Sequence, residues 1–514
     1  MGFVRDALRA SSHIRLTRNF RVAVVGAGIG GIAMGHALKQ AGCAGFTVYE
    51  KADSIGGTWR DNRYPGVACD IPSYLYSFSF APNPGWSRIC APGAEIRDYV
   101  EGAARASGLL PHIRFGKELV ESRYREGEWH LRFADGTRTT VDVLVACTGI
   151  LHVPRHVEYP GLQDFAGRVF HSARWPAGLE LRGRRVASVG NGSSSTQLVP
   201  ALVGQVSELK LFQRTAQWIF PVEARVLTEQ EKQQLRAHPE RLHQLYDEIM
   251  AQFEDRLGKL SMGDPQTIRE FAEACEANLA RVTDPGLRRR LTPGYAVHCK
   301  RLVMSDAFYE AVQHENCTLV TSPIERFERN GIRCRDGELH ELDIVVLATG
   351  FKSDQYCRSI APRGEDGITL DELWQDGVTS FETVALARFP NMFMIGGPTT
   401  SVTSVSYITG AELQASYIVR AMKLLEEHQA RAMAPRDEAQ AGYIAANRKV
   451  ASRTVFMSGC SSWYLDAKGH FQFYAGHPRA YVEMLARGPS SADYRFLGHR
   501  APPQTRPAAD SFAN

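Results

Sequence analysis

The chain has 514 residues, 44% of them hydrophobic and 23% charged, which is typical of a globular protein with more than one domain. A net charge of +4 does not indicate nucleic-acid binding, and no apolar run is long enough for a signal peptide or a membrane span. The ten cysteines form no Cys-x-x-Cys, which argues against a metal site and against a disulfide reductase. We therefore expect a cytoplasmic protein that binds no metal.

An extension over residues 1–20 precedes the first predicted strand, "RVAVVG", which is followed by a predicted helix, "AGIGGIAMGHALKQAG", and a second strand, "FTVYEK". The turn between strand and helix carries the pattern Gly26-x-Gly28-x-x-Gly31. In such a turn the first glycine permits the bend, the second lets a pyrophosphate approach the backbone, and the third packs the helix on the strand. The helix N-terminus offers free N–H groups to the phosphates.

An acidic residue, Glu50, ends the second strand 24 residues after Gly26. A carboxylate at this offset accepts hydrogen bonds from ribose hydroxyls, which indicates a nucleotide with a free 2′-OH, such as FAD or NAD. Farther along, the chain predicts a hairpin with its turn at Asp135-Gly136 and a buried strand, "VDVLVACTG", over 141–149.

The segment "DFAGRVFHSARWP", residues 164–176, is rich in aromatic residues. It has too little periodicity for a helix and too little alternation for a strand. We expect an irregular element that joins two domains.

A second strand–turn–helix unit follows, with "RRVASVG" as strand, "STQLVPALVGQ" as helix and "ELKLFQR" as the next strand. Its turn reads Gly190-x-Gly192-x-x-Ser195, and the serine predicts a slightly looser helix contact. At the offset where the first unit has an acid, this unit has Arg214, followed by Thr215. An arginine there clamps a 2′-phosphate, which is the mark of NADP. The helix-opening residues assigned to this site are Ser193, Ser195, Thr196 and Gln197.

The fold class predicted from these units is α/β, with two Rossmann-like dinucleotide-binding domains, one for FAD and one for NADP. Amphipathic helical spacing predicts a helical insertion in the NADP domain. A predicted strand, "LDIVVLATG" (342–350), precedes the return of the chain to the first domain. The polar C-terminal residues predict a flexible tail. The predicted boundaries are 21–160 (FAD domain, first part), 161–345 (NADP domain, insertion 228–290), 346–490 (FAD domain, return) and 491–514 (tail).

The pattern Phe165-x-Gly167-x-x-x-His171-x-x-x-Trp175-Pro176, lying between the two glycine turns, resembles the fingerprint of the Baeyer–Villiger monooxygenases. Flavin-containing monooxygenases have a similar Phe-x-Gly-x-x-x-His core, usually without the Trp-Pro ending. The resemblance runs from about residue 20 to about residue 485.

The resemblance also assigns residues to the cofactors. The segment "GGTWRDNRYPGVACDIPSYLYSFSF" (56–80) resembles the family's second flavin segment, and "FQRTAQW" (212–218) resembles its NADP-selecting loop. "HCKRLVMSDAFY" (298–309) resembles the segment with the Lys-Arg pair, and "SSWYLD" (461–466) a loop near the nicotinamide. The implied residues are Gly57, Thr58, Trp59, Asp70 and Tyr76 at the flavin, Lys300 with Arg214 at the 2′-phosphate, Arg301 at the flavin and Trp463 at the nicotinamide.

The chemistry that the resemblance implies uses NADPH, FAD and O2 to form a C4a-peroxyflavin, which attacks a ketone and yields an ester or lactone. A fixed arginine, Arg301, would stabilise the negative charge, with Asp70 holding it. The aromatic segment would couple the closure of the two domains, and His171 would serve as a hydrogen-bonding contact there.

Three other interpretations remain beside this one: an N- or S-oxygenase of the same superfamily, an NADPH–disulfide reductase, and a flavin-binding protein without catalysis. Trp175-Pro176 and Arg301 argue against the N- or S-oxygenase. The absence of a close cysteine pair in the sequence argues against the disulfide reductase, and the intact motifs argue against a protein without catalysis. The loops around 352–380, 399–408 and 455–475 would form a pocket for a medium or bulky ketone, while neither the particular ketone nor the oligomeric state can be derived from the sequence.

Overall fold

The chain is described by a computed structural model that covers residues 2–9, 13–401 and 405–499. Its strands are β1 Val22–Val25, β2 Phe46–Tyr49, β3 Ile113–Arg114, β4 Leu119–Arg125, β5 Glu128–Phe133, β6 Arg138–Val141, β7 Val143–Ala146, β8 Arg168–His171, β9 Arg185–Val189, β10 Glu208–Phe212, β11 Ile219–Phe220, β12 Val303–Met304, β13 Cys317–Val320, β14 Ile324–Glu328, β15 Gly331–Cys334, β16 Leu339–Glu341, β17 Ile344–Leu347, β18 Pro362–Arg363, β19 Met392–Met394, β20 Ala430–Pro435 and β21 Tyr494–His499. Its α-helices are α1 Phe3–Arg9, α2 Ile29–Gln40, α3 Thr58–Asp61, α4 Gly93–Ala106, α5 Ser193–Leu202, α6 Glu229–Ala237, α7 Pro239–Ser261, α8 Pro265–Leu279, α9 Pro285–Leu291, α10 Phe308–Ala311, α11 Leu370–Leu373, α12 Tyr407–Glu427, α13 Asp437–Ala451 and α14 Pro478–Arg487.

The first sheet has the order β19-β7-β1-β2-β3, and all its neighbouring strands run parallel. Its central strand β1 is buried along its whole length, as expected where a parallel sheet is covered on both faces. Helices α2 and α12 pack together on one face. The antiparallel strands β4, β5 and β6 contribute the buried side chains on the other face, and their β5–β6 turn confirms the predicted hairpin.

The second sheet has the order β13-β10-β9-β17-β8 and is also parallel. The expectation of an irregular segment over 164–176 is wrong for Arg168–His171, which forms the edge strand β8 on β17. Its short length and half-buried middle residues hide the alternation that reveals longer strands. Strand β17 extends to Leu347, two residues past the boundary predicted at 345.

The helical insertion predicted over 228–290 consists of α6 to α9. Its longest helix, α7, buries Leu242 and Met250 in the core of the first domain, and the Tyr246 hydroxyl lies 2.8 Å from Thr409 Oγ1 on α12. Helix α8 instead contacts the second domain, where Asn278 Nδ2 donates to the Ile219 carbonyl. The insertion therefore packs against both domains, whereas the sequence assigned it to the NADP domain alone.

Both ends of the described chain join the first domain. Helix α1 lies in the predicted N-terminal extension and packs against α12 and α14. The predicted flexible tail is corrected over Tyr494–His499, which pairs antiparallel with β20, while 500–514 lie outside the described residues. Among the described helices, none is long and apolar enough to cross a membrane.

Candidate active site

One cavity of about 1960 Å³ extends along the ends of both parallel sheets. Gly26, Gly28 and Glu50 line it from the first sheet, and Gly190 and Gly192 line it from the second. Pockets for one small ligand are typically about 300–1,000 Å³, so this cavity has room for more than one such molecule.

The first glycine turn is shaped so that a ligand can come close to its backbone. Gly26 has φ +108°, and a Cβ there would lie 2.5 Å from the Cys147 carbonyl oxygen. Gly28 precedes the first residue of α2 and lies in the cavity wall, so the helix N-terminus borders the cavity. Gly31 lies behind the wall against Gly26 and brings helix and strand together, as predicted. This cradle fits a dinucleotide pyrophosphate.

Glu50 is buried beside this turn. Its carboxylate accepts hydrogen bonds from the backbone N–H groups of Ala27 (2.8 Å) and Ala52 (2.9 Å), and it pairs with Arg60 over 3.1 Å. These contacts hold the carboxylate in the cavity wall. Because each carboxylate oxygen can accept more than one bond, acceptor positions remain for ribose hydroxyls.

The predicted flavin segment lies along the same wall. Trp59 Nε1 donates to the Tyr76 hydroxyl over 3.1 Å, and the two rings meet edge to face at 5.7 Å. This contact fixes both aromatic side chains against the cavity. The predicted residues of the segment that line the wall are Gly57, Thr58, Trp59, Asp70 and Tyr76.

The second glycine turn repeats the geometry of the first. Gly190 has φ +110°, and a Cβ there would lie 2.5 Å from the Ala348 carbonyl oxygen, at the end of β17. Gly192 starts α5 with open space in front of it, and Ser193 follows it in the wall. This turn fits a second dinucleotide by the same argument.

Ser195 and Thr196 lie behind the wall, away from the cavity, although the sequence placed both in the cofactor site. The Ser195 hydroxyl lies 2.7 Å from Ser188 Oγ on β9, which gives the serine at this glycine position a buried hydrogen-bonding partner. Gln197 is in the wall and bridges to the flavin segment, since its Nε2 donates to the Ala68 carbonyl (3.0 Å). No sequence pattern indicated that interdomain contact.

Arg214 and Lys300 form a positive corner next to the second turn. Burial, together with the charge of Arg214, lowers the pKa of Lys300, which indicates that the two cations are near each other. An anion placed between them would offset this repulsion. Asn191 Nδ2 donates to the Thr215 carbonyl over 2.8 Å and fixes this loop to the glycine turn.

An ion pair stands in the wall between the two cradles. Arg301 Nη2 lies 2.9 Å from Asp70 Oδ2, although 231 residues separate them in the chain. The negative charge of Asp70 raises the pKa of Arg301, so the guanidinium stays charged. A side-chain hydrogen bond also joins Arg301 to Tyr464, whose ring centroid lies 4.7 Å from that of Trp463. Sequence reasoning named Trp463 and missed Tyr464, although they are adjacent.

His171 lies outside the cavity wall, and both of its ring nitrogens are occupied. Nδ1 accepts from the Ala173 backbone N–H (3.1 Å), so Nε2 carries the proton that is donated to the Gly350 carbonyl (3.0 Å). Burial lowers the pKa of His171, which keeps the ring neutral. Its bonds tie the end of β8 to the point where the chain returns to the first domain.

The remaining residues of the aromatic segment pack within the second domain. Phe165 meets Phe327 edge to face at 5.9 Å, and Trp175 meets Phe170 at 5.2 Å. A Cβ at Gly167 would lie 2.4 Å from the Asp343 carbonyl oxygen. The half-buried Pro176 follows Trp175 directly.

A disulfide joins Cys299 to Cys460, which are 161 residues apart. No two cysteines are close together in the sequence, and this disulfide was not predicted because folding brings together residues that local spacing cannot relate. Neither cysteine lies in the cavity wall, so this pair does not favour a disulfide reductase. It connects the segment of Lys300 and Arg301 with the loop of Trp463.

Comparison with known proteins agrees with this geometry. Residues 24–92 match the model of an NAD(P)-binding Rossmann-like domain. An uncharacterized monooxygenase of Mycobacterium tuberculosis is 44% identical, with 90% of this chain and 94% of that protein covered. A Baeyer-Villiger monooxygenase of Streptomyces coelicolor is 37% identical, with 89% of each covered. The structure of cyclohexanone monooxygenase from Rhodococcus sp. Phi1 bound to NADP⁺ superimposes with a TM-score of 0.84 at 28% identity, covering 93% of this chain and 99% of that one.

The two cradles and the charged pair between them define a flavin-dependent monooxygenase whose cofactors are FAD and NADP. Within that class, the chain belongs to the Baeyer–Villiger monooxygenase family.

Proposed function

We propose that this protein inserts one atom of O2 beside the carbonyl of a ketone. The balanced reaction is ketone + O2 + NADPH + H⁺ → ester or lactone + NADP⁺ + H2O. The observation that supports it most is the Arg301–Asp70 pair, placed in the wall of a cavity between two dinucleotide cradles.

The first cradle is assigned to FAD, with Gly26 and Gly28 at the pyrophosphate and Glu50 at the ribose. FAD, when bound, accepts a hydride from NADPH and activates O2. The second cradle is assigned to NADP, with Arg214 and Lys300 on its 2′-phosphate. The residues assigned to FAD beside these are Gly57, Thr58, Trp59, Asp70 and Tyr76, and those assigned to NADP are Gly190, Gly192, Ser193, Gln197, Thr215 and Trp463.

Arg301 is assigned the central electrostatic role. A guanidinium that stays charged at every working pH stabilises negative charge that develops during attack on a carbonyl carbon. Asp70 fixes its orientation through the 2.9 Å contact. Once bound cofactors and substrate displace water from the cavity, such a fixed charge acts more strongly than it would in water.

The first experiment is aerobic NADPH consumption by the purified yellow enzyme with a panel of ketones, with assays for esters, lactones and hydrogen peroxide. Ketone-dependent ester or lactone with little hydrogen peroxide is the expected result. The Arg301→Ala variant should keep its FAD and lose ester formation by about 10²-fold or more, as when a fixed charge-stabilising donor is removed. Turnover of sulfides or amines with no ketone converted would overturn the proposal.

A further inference from the structure

Tyr464 occupies an unusual position in the cavity wall. Its side chain is 1% exposed, yet it borders the cavity beside Arg301 and shares a hydrogen bond with that guanidinium. Its ring is packed among Phe456, Phe471 and Phe473, at centroid distances of 5.2, 6.0 and 5.6 Å. Only its polar end is therefore available to the cavity.

The hydrogen-bonding capacity of the two groups settles the direction of their bond. A guanidinium has only donors, so Arg301 donates and the Tyr464 hydroxyl oxygen accepts. The phenol keeps one O–H of its own, for which residues 2–9, 13–401 and 405–499 provide no acceptor. Buried polar groups nearly always have partners, so this proton points to a partner that enters the cavity.

The backbone around Tyr464 holds the hydroxyl in place. Its N–H donates to Ser462 Oγ (3.2 Å), and its carbonyl accepts from the Gln472 N–H (3.0 Å). The Cys299–Cys460 disulfide joins the loop of Tyr464 to the segment that carries Arg301. Donors that are held in place before the reaction stabilise developing charge most effectively.

We propose that Tyr464 is a further catalytic residue, which donates its O–H to the carbonyl oxygen of the ketone while accepting from Arg301. This inference rests on the proposed function. The phenol keeps its proton throughout, and its hydrogen bond strengthens as the carbonyl oxygen becomes negative. Burial raises the pKa of Tyr464, so the hydroxyl remains a donor at neutral pH.

The test compares holoenzymes of the wild type and Tyr464→Phe on a ketone that the enzyme converts and on the sulfide of the same shape. We expect kcat for the ketone to fall about 10²-fold, with more hydrogen peroxide per NADPH, as when one donor to a developing oxyanion is lost. Sulfide oxidation should be unchanged, since a sulfide has no carbonyl oxygen. Titration calorimetry with NADP⁺ present should show that the Kd of the ketone increases about three- to tenfold, because one hydrogen bond to the ketone is lost.

A matched control is Tyr417→Phe, which removes another buried hydroxyl, one that donates to Glu382 Oε2 over 2.6 Å outside the cavity wall. This control should behave like the wild type on both substrates. Unchanged ketone turnover in Tyr464→Phe, or equal losses on ketone and sulfide, would overturn the catalytic role while leaving the proposed function intact. A wild type that converts sulfides and no ketone would overturn both, and its own products would reveal that case.

Discussion

Arg214 and Lys300 illustrate how two side chains can set cofactor choice. Arg214 is exposed at the edge of the cavity, and Lys300 has its Nζ 4.5 Å from the centre of the Tyr295 ring. Neither belongs to the glycine turn that would hold the pyrophosphate. The phosphate that distinguishes NADPH from NADH therefore meets a part of the site that can be altered separately.

Arg214→Gln should lower kcat/KM for NADPH about 10- to 100-fold, the loss of one charge-assisted hydrogen bond, and leave kcat/KM for NADH nearly unchanged. Steady-state kinetics with both coenzymes measure this selectivity. Lys210→Gln is the control, because Lys210 is a cation of the same domain outside the cavity wall and pairs with Glu208. Equal losses with both coenzymes would contradict the assignment.

Glu412 on α12 is a buried carboxylate outside the cavity wall. The Ser79 N–H lies 3.1 Å from each of its oxygens, and the Ser79 hydroxyl donates to Oε1 over 2.6 Å. Despite these bonds, burial raises the pKa of Glu412 from 4.5 to about 7. The folded state therefore holds this proton more tightly than the unfolded state does.

Protonated Glu412 therefore stabilises the folded state below pH 4.5, and this stabilisation is lost as the pH rises through about 7. The free energy of unfolding of Glu412→Gln minus that of the wild type should therefore increase by about 3 kcal/mol when the pH is raised from 4.5 to 8. Urea denaturation at several pH values measures the difference. The exposed Glu273→Gln should show no such trend, and parallel profiles for wild type and Glu412→Gln would refute the prediction.

At the scale of elements, local patterns predicted the two strand–turn–helix units and missed what depends on distant residues. The turns at Gly26 and Gly190 can be recognised from residues next to them in the sequence. The charged residue 24 positions after each of these glycines belongs to the same local unit. Strand β8 exists because β17, more than 170 residues later, pairs with it. The contacts of Tyr464 with Arg301 and of Gln197 with Ala68 likewise depend on packing between segments that the sequence separates.

The strand β8 and its His171 lend themselves to a test of domain coupling. His171→Ala removes the contact with the Gly350 carbonyl and the acceptor of the Ala173 N–H. We expect FAD to remain bound, while the rate of flavin reduction by NADPH and the yield of ester per NADPH decrease. The pH profile of kcat should keep its shape, because the ring lies outside the cavity wall.

Stopped-flow reduction and product yields measure these effects. The exposed His130→Ala on β5 is the control and should match the wild type. Unchanged reduction and yield in His171→Ala would count against coupling through this contact, and an altered pH profile would point to acid–base chemistry instead.

At the scale of the whole molecule, three of the links between the segments that build the site differ in chemical kind. Helix α7 leaves the second domain to pack on the first, the Arg301–Asp70 pair crosses the cavity wall, and Cys299–Cys460 joins the arginine segment to the Trp463 loop. The first is apolar, the second ionic and the third covalent. Since the covalent link alone can be broken by a reductant, it can be tested in the intact wild type.

The double variant Cys299→Ser/Cys460→Ser should have a lower Tm than the wild type, because a disulfide that closes a loop of this length restricts the unfolded chain and typically contributes about 2–4 kcal/mol. Dithiothreitol should lower the wild-type Tm to a similar value and leave the double variant unaffected. Cys317→Ser, at a free half-buried cysteine on β13, should respond to dithiothreitol as the wild type does. A non-reducing peptide map without the 299–460 linkage, or a wild-type Tm insensitive to dithiothreitol, would show that this link does not stabilise the fold.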